Sequence, residues 1–195
     1  MGNMKMLYEK ETILKNGKKC ILRNAVPEDA GIFCEYFIQA HSETEYLTTY
    51  PDESVMDAKK EADFLQNQLE SQTNIEICAF VDGKLVGSAG NNMLSQRDKL
   101  RHRAEFGISI LKEYWGMGIG KALTEACIEC ARTAGFLQLE LEVVADNEKA
   151  VSLYKKLGFI EYGVNPIGFR KRNGEFQELI LMRLILDSCE EECNG

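Results

Sequence analysis

The segment with the clearest chemistry is Tyr114-Trp115-Gly116-Met117-Gly118-Ile119-Gly120-Lys121-Ala122-Leu123. Its three alternating glycines sit between a strand-like run and an amphipathic helical pattern. Glycines leave the backbone bare, so the N–H groups of Gly116, Met117, Gly118, Ile119, Gly120 and Lys121 converge on one point. The dipole of the following helix adds partial positive charge there. The natural ligand of such a turn is a phosphate or pyrophosphate, and Lys121 can add a full charge. Two common phosphate motifs are excluded by single residues. G-x-x-x-x-G-K-[ST] needs glycine at Trp115 and a hydroxyl at Ala122, and G-x-G-x-x-G needs glycine at Lys121 or Leu123. A strand-to-helix turn with no ligand is the plain alternative. Further along, Asn147 stands at a helix start and Tyr154 lies two turns later, so the two share one helix face.

These residues need a framework, and the hydrophobic periodicity supplies one. Asn16-Gly17 suits a tight turn between Thr12-Ile13-Leu14 and Cys20-Ile21-Leu22, so the chain opens with a hairpin. Pro27-Glu28-Asp29 fits a helix start, with Ala30, Phe33, Cys34 and Phe37 at helical spacing. A second helix spans about Ser54 to Gln72. Three strands follow, Ile75 to Val81, Lys84 to Leu94 and Arg103 to Leu111, the first two joined by Asp82-Gly83. After Gly120 a helical stripe of Ile119, Leu123, Ala126, Cys130 and Ala134 is closed by Gly135. Then come a strand from Gln138 to Val144, a helix from Asn147 to Leu157, a strand from Phe159, and a final hairpin that turns at Asn173-Gly174 and ends in Glu178 to Leu186. This order predicts a mixed α/β sheet with helices on both faces. The Arg103 and Gln138 strands form a parallel pair joined by a crossover helix.

Composition excludes several classes. The 195 residues are 45% apolar and 28% charged with three prolines, which suits one globular domain over residues 1–186. Lys plus Arg number 23 against 31 Asp plus Glu, a net charge of −8, which argues against nucleic-acid binding by phosphate neutralisation. Half of that excess lies in an acidic tail, residues 187–195, expected to be disordered: Asp187, Glu190, Glu191 and Glu192 supply −4 with no Lys or Arg. One pyrophosphate held by backbone N–H groups is compatible with the charge. The run Leu179 to Leu186 is broken by Arg183 and is far shorter than the roughly 20 residues of a membrane span. The N-terminus lacks a signal-peptide core, and Met6 stands where a myristoylation pattern needs Ser or Thr. The expected compartment is the cytoplasm, with no membrane partner. The seven cysteines are expected to be reduced, and Cys127-x-x-Cys130 has no second pair to complete a zinc set, so no metal is expected.

Taken together, the glycine turn and the segment Asn147-Glu148-Lys149-Ala150-Val151-Ser152-Leu153-Tyr154-Lys155-Lys156-Leu157-Gly158-Phe159 resemble the GCN5-related N-acetyltransferase (GNAT) superfamily. Its hallmarks are Q/R-x-x-G-x-G/A followed by N-x-x-A-x-x-L-Y-x-K-x-G-F. The second motif matches at every defined position, and residues 18–186 follow the family's element order. Trp115 departs from the first motif, standing where Gln or Arg is usual.

The resemblance implies a mostly antiparallel sheet with a splayed parallel pair, and acetyl-CoA as co-substrate. The pyrophosphate would sit in the glycine turn. The pantetheine arm would lie as an extra strand along Ile108, Ser109 and Ile110, with Asn147 bonding the arm or acting only as a helix cap. Acetyl transfer to an amine needs the proton removed from an alkylammonium of pKa near 10.4. Glu105, beside the slot, is the candidate base; a structural carboxylate paired with Arg101 or Arg103 is the alternative. Tyr154 is the candidate acid for the departing thiolate, or else a core tyrosine. The loop His41 to Glu53 would wall the acceptor site with Glu43, Glu45, Tyr46 and Tyr50, favouring a cationic small-molecule amine, unless it is a solvated loop. A ribosomal-protein-type acetyltransferase for peptide N-termini and a non-catalytic acetyl-CoA-binding module are the other readings. The chain is expected as a monomer or homodimer.

Overall fold

The hairpin forms where Asn16-Gly17 predicts it. Gly17 has a φ of 82°, and β1 (Glu9–Ile13) pairs antiparallel with β2 (Lys19–Asn24). The computed structural model describes residues 5–186; the expected acidic tail, with Cys189 and Cys193, lies outside them. A single 3₁₀ turn over Pro27–Asp29 leads into α1 (Ala30–Ser42), and α2 covers Ala58–Glu70. The second helix starts later than its periodicity suggests because Asp57 caps it, accepting from the amides of Lys59 and Lys60. The inward stripe of α1 is also turned from the expected one. Tyr36 is buried in place of Phe37, since the Tyr36 hydroxyl donates to the Ser109 carbonyl at 2.6 Å.

The strands β3 (Ile75–Val81), β4 (Lys84–Met93) and β5 (Arg103–Ile110) form the predicted meander. After β5 come α3 (Ile119–Thr133), β6 (Gln138–Val144), α4 (Glu148–Lys156), β7 (Ile160–Arg170) and β8 (Phe176–Ile185). The result is one eight-stranded sheet of order β1-β2-β3-β4-β5-β6-β8-β7, antiparallel except for the β5–β6 pair.

Each face of the sheet has its own core. On one, Leu123, Ala126 and Cys127 of α3 pack with Val86, Ala89 and Leu139. On the other, Phe33 and Tyr36 of α1 and Leu65 of α2 pack with Cys78, Phe80 and Leu85. Cys127 and Cys130 both belong to the first core, where burial raises their thiols and keeps them protonated. Among the described residues no helix is long and apolar enough to cross a membrane.

Candidate active site

The parallel pair closes at one end only. Arg103, Ala104 and Glu105 pair with Gln138, Leu139 and Glu140; beyond that point β5 stays with β4 while β6 stays with β8. A slot therefore opens between Phe106–Ile110 and Leu141–Val144. Leu111 N–H donates to Val86 O of β4, so strand alternation turns the amides and carbonyls of Ile110 and Ile108 toward the slot. Their side chains pack on the α3 face, whereas the Ser109 side chain turns to the α1 face and meets the Tyr36 hydroxyl. The slot edge of β5 thus has no neighbouring strand beyond Glu105 and is lined by apolar side chains.

The glycine turn sits at the open end of this slot. Gly116 and Gly118 have φ values of 77° and 103°, left-handed geometry that a side chain would strain. Gly118 caps α3, whose first intrahelical bond is Ala122 N–H to Gly118 O, so the amides of Ile119, Gly120 and Lys121 have no partner within the helix. The turn is held from behind by the first hairpin, since Lys15 N–H donates to the Met117 carbonyl. Lys121 leans along the helix toward Glu125 at 3.4 Å.

Trp115 does not leave the turn empty-handed. Its indole N–H donates to the Ile110 carbonyl at 2.8 Å, and its ring stacks on Tyr46. A side chain that departs from the motif thereby links the end of β5 to the α1–α2 loop.

Tyr154 and Glu105 lie on opposite faces of the sheet. Tyr154 is buried on the α3 face between Phe106 and Phe159, with ring centroids at 6.1 and 5.8 Å. Burial pushes its phenol well above the ordinary value, so it stays protonated, and its hydroxyl has no hydrogen-bond partner among the described residues. Glu105 faces the other side, exposed at the closed end of the slot. The two arginines named as possible partners are engaged elsewhere: Arg103 forks onto Glu140, and Arg101 pairs with Asp98. Asn147 caps α4 through Oδ1, which accepts from Ala150 N–H at 3.3 Å, leaving its amide donors for a ligand.

The loop residues Glu43, Glu45, Tyr46 and Tyr50 line a cavity of about 630 Å³ together with Trp115 and Arg172. Their carboxylates are already engaged. Glu43 accepts from Lys112 N–H, and Glu45 from the Tyr50 hydroxyl. Arg172, on the β7–β8 turn, pairs with Asp52 and lies 4.1 Å from the centre of the Tyr50 ring. The loop is strapped to the hairpin by the protein's own cation.

Sequence reasoning passed over one carboxylate of this region. Glu142 stands on β6 on the same face as Glu105, exposed across the slot from it. The alternation Gln138-Leu139-Glu140-Leu141-Glu142 carries the signal: leucines on one face, carboxylates on the other.

Comparison with known proteins bears on this geometry. The acetyltransferase (GNAT) family matches residues 36–159. The L-amino acid N-acetyltransferase AaaT of Escherichia coli (strain K12) is 32% identical over 119 residues, 60% of this chain and 72% of that protein. The crystal structure of an acetyltransferase of the GNAT family from Streptococcus pneumoniae superposes with a TM-score of 0.82 at 31% identity, covering 85% of this chain and 99% of that one. The structure of yncA from Salmonella typhimurium with its cofactor acetyl-CoA has the same fold, with a TM-score of 0.75 at 21% identity over 90% of this chain and 99% of that one.

Proposed function

Since this chain belongs to the acetyltransferase (GNAT) family, we propose that it transfers acetyl from acetyl-CoA to a primary amine of a small molecule, through the slot between β5 and β6. The residues present fit acetyl-CoA. The free amides of Ile119, Gly120 and Lys121 suit its pyrophosphate. The slot edge at Ile108 and the Ile110 N–H offer backbone partners to the amide-bearing arm, and the Asn147 side-chain amide would add a donor. When bound, acetyl-CoA supplies an activated acetyl thioester.

The observation that carries the reading is the placement of Tyr154, buried on one face of the sheet beside the slot, and Glu105, exposed on the other. Glu105 accepts the amine proton, directly or through a water, on the open face. The neutral nitrogen then forms the C–N bond as the C–S bond breaks, and Tyr154 gives its phenolic proton to the departing sulfur on the buried face.

The test is release of free thiol from acetyl-CoA by the purified protein with a panel of small amines, amino acids and a peptide N-terminus. Thiol release with a small amine, and amide product by mass spectrometry, is the expected outcome. Acetyl-CoA binding with no turnover on any member, or turnover on the peptide alone, overturns it.

A further inference from the structure

On the α1/α2 face, Glu76, Gly90 and Gly107 form one row across β3, β4 and β5, because Glu76 pairs with Gly90 and Gly90 with Gly107. A Cβ on Gly90 would collide with Glu76 Oε2, whereas a Cβ on Gly107 would meet nothing within 4 Å. The Glu76 carboxylate therefore leans across Gly90 of β4, and the next strand, at Gly107, has nothing within 4 Å of the place its side chain would take. This is a trough floored by backbone.

Its walls hold more acceptors than donors. Ser88 donates to Glu76 Oε1, and Gln68 of α2 donates to Asn92, which follows Gly90 on the same face of β4. Gln68 is only 7% exposed, yet its Oε1 is buried with no hydrogen-bond partner among the described residues, and the same holds for Glu61 Oε1. Burial raises Glu76 to about 7, the Ser88 hydroxyl opposing and the Glu61 charge adding, which describes a carboxylate short of a counter-charge. Arg103, the arginine on this face of β5, is committed to Glu140. Unlike the cavity under the α1–α2 loop, where Arg172 already answers the acidic groups, this trough has no cation of its own among the described residues.

We propose that the trough is a cation-binding subsite in which Glu76, Glu61 and Gln68 hold a second ammonium group of the acceptor, so that the preferred substrates are aliphatic diamines. The proposal rests on the acetyl-transfer reading above. The Glu76 carboxylate lies over β4 and the slot lies beyond β5, about one and a half strand spacings away, or about 7 Å. A chain of about four or five methylenes spans that distance. One amine of such a molecule reaches Glu105 and loses its proton; the other stays charged against the unpartnered oxygens. A monoamine leaves those oxygens without a donor, and an acceptor with a terminal carboxylate places like charges together.

The test compares cadaverine, pentylamine and the five-carbon amino acid that carries a carboxylate in place of the second amine. Each is assayed by thiol release in the wild type and in Glu76→Gln and Glu61→Gln, with melting temperatures to verify folding. Cadaverine is expected to exceed pentylamine in kcat/KM by about tenfold or more, with the amino acid slowest. Glu76→Gln should collapse the cadaverine-to-pentylamine ratio toward one through KM, and Glu61→Gln should lower it less. A wild-type ratio near one, or a ratio that survives Glu76→Gln, overturns the subsite. If no amine releases thiol, the transfer reading fails, and calorimetric titration of cadaverine into the CoA-loaded protein decides the subsite separately. Binding that is lost in Glu76→Gln supports it, and absence of binding overturns it.

Discussion

The two faces of the sheet are built from different materials. The α3/α4 face is an apolar core with a backbone-lined turn at its edge: Leu123, Ala126 and Cys127 fill it, Gly116 and Gly118 shape that turn, and Tyr154 sits among aromatic rings. The α1/α2 face has a core only under its helices, and its remaining strip carries exposed Asn92, Glu105, Gly107 and Glu142. A ligand that is the same in every turnover can be held by main-chain groups whose positions follow from the fold. A ligand that distinguishes one enzyme from another is met by side chains, which can change without disturbing the sheet.

The comparison can be broken at both faces. The largest effect is expected for Tyr154→Phe, which should lower kcat about 100-fold or more while the acetyl-CoA dissociation constant stays within about twofold. Because the hydroxyl has no partner among the described residues, the melting temperature should hold; a matching loss of stability would make the hydroxyl structural and not catalytic. Glu105→Gln, on the other face, should lower kcat/KM by about 30-fold at neutral pH. Much of the loss should return as pH rises toward the pKa of the free amine, since the neutral nucleophile then needs no base. No recovery with pH would remove Glu105 from the proton path.

Smaller effects sharpen the structural side of the contrast. Gly118→Ala forces a side chain into a backbone with φ of 103° and should cost about 1–2 kcal/mol in denaturant unfolding, with weakened acetyl-CoA binding. Glu140→Gln should cost about 1 kcal/mol at neutral pH, through loss of the fork to Arg103. That fork holds the Glu140 carboxyl below the usual carboxylate range, so its stabilisation is complete above the unfolded value of about 4.3 and is lost as pH falls through the lower folded one. Variant and wild type should therefore converge in stability in acid. The smallest effect belongs to Arg172→Ala, which releases the strap to Asp52 and Tyr50 on an exposed surface. A rise of about twofold in acceptor KM is expected, shrinking with added salt.

Much of the fold was legible because it rests on local rules. Asn16-Gly17 and Asn173-Gly174 both turn hairpins, and the shift from alternation to helical spacing at Gly120 marks the start of α3. What periodicity missed was decided by single contacts. Asp57 sets the start of α2, and the Tyr36 hydroxyl rotates the buried stripe of α1 toward Ser109. Neither contact has a signal in spacing, because each depends on which group waits on the other side.

The candidate site divides in the same way. By itself the sequence determined the glycine turn, the Asn147 to Phe159 motif, the parallel crossover and the carboxylate on the slot strand, because each is a short run in which neighbours along the chain are neighbours in space. Only the tertiary structure decided that Trp115 ties itself to the Ile110 carbonyl, that Arg172 engages the acidic loop, and that Glu76 reaches over Gly90. Those three facts join segments distant in sequence, and their outcome turns on which groups the fold places against one another. That placement is settled by packing across strands and is not written in the spacing of residues along one of them.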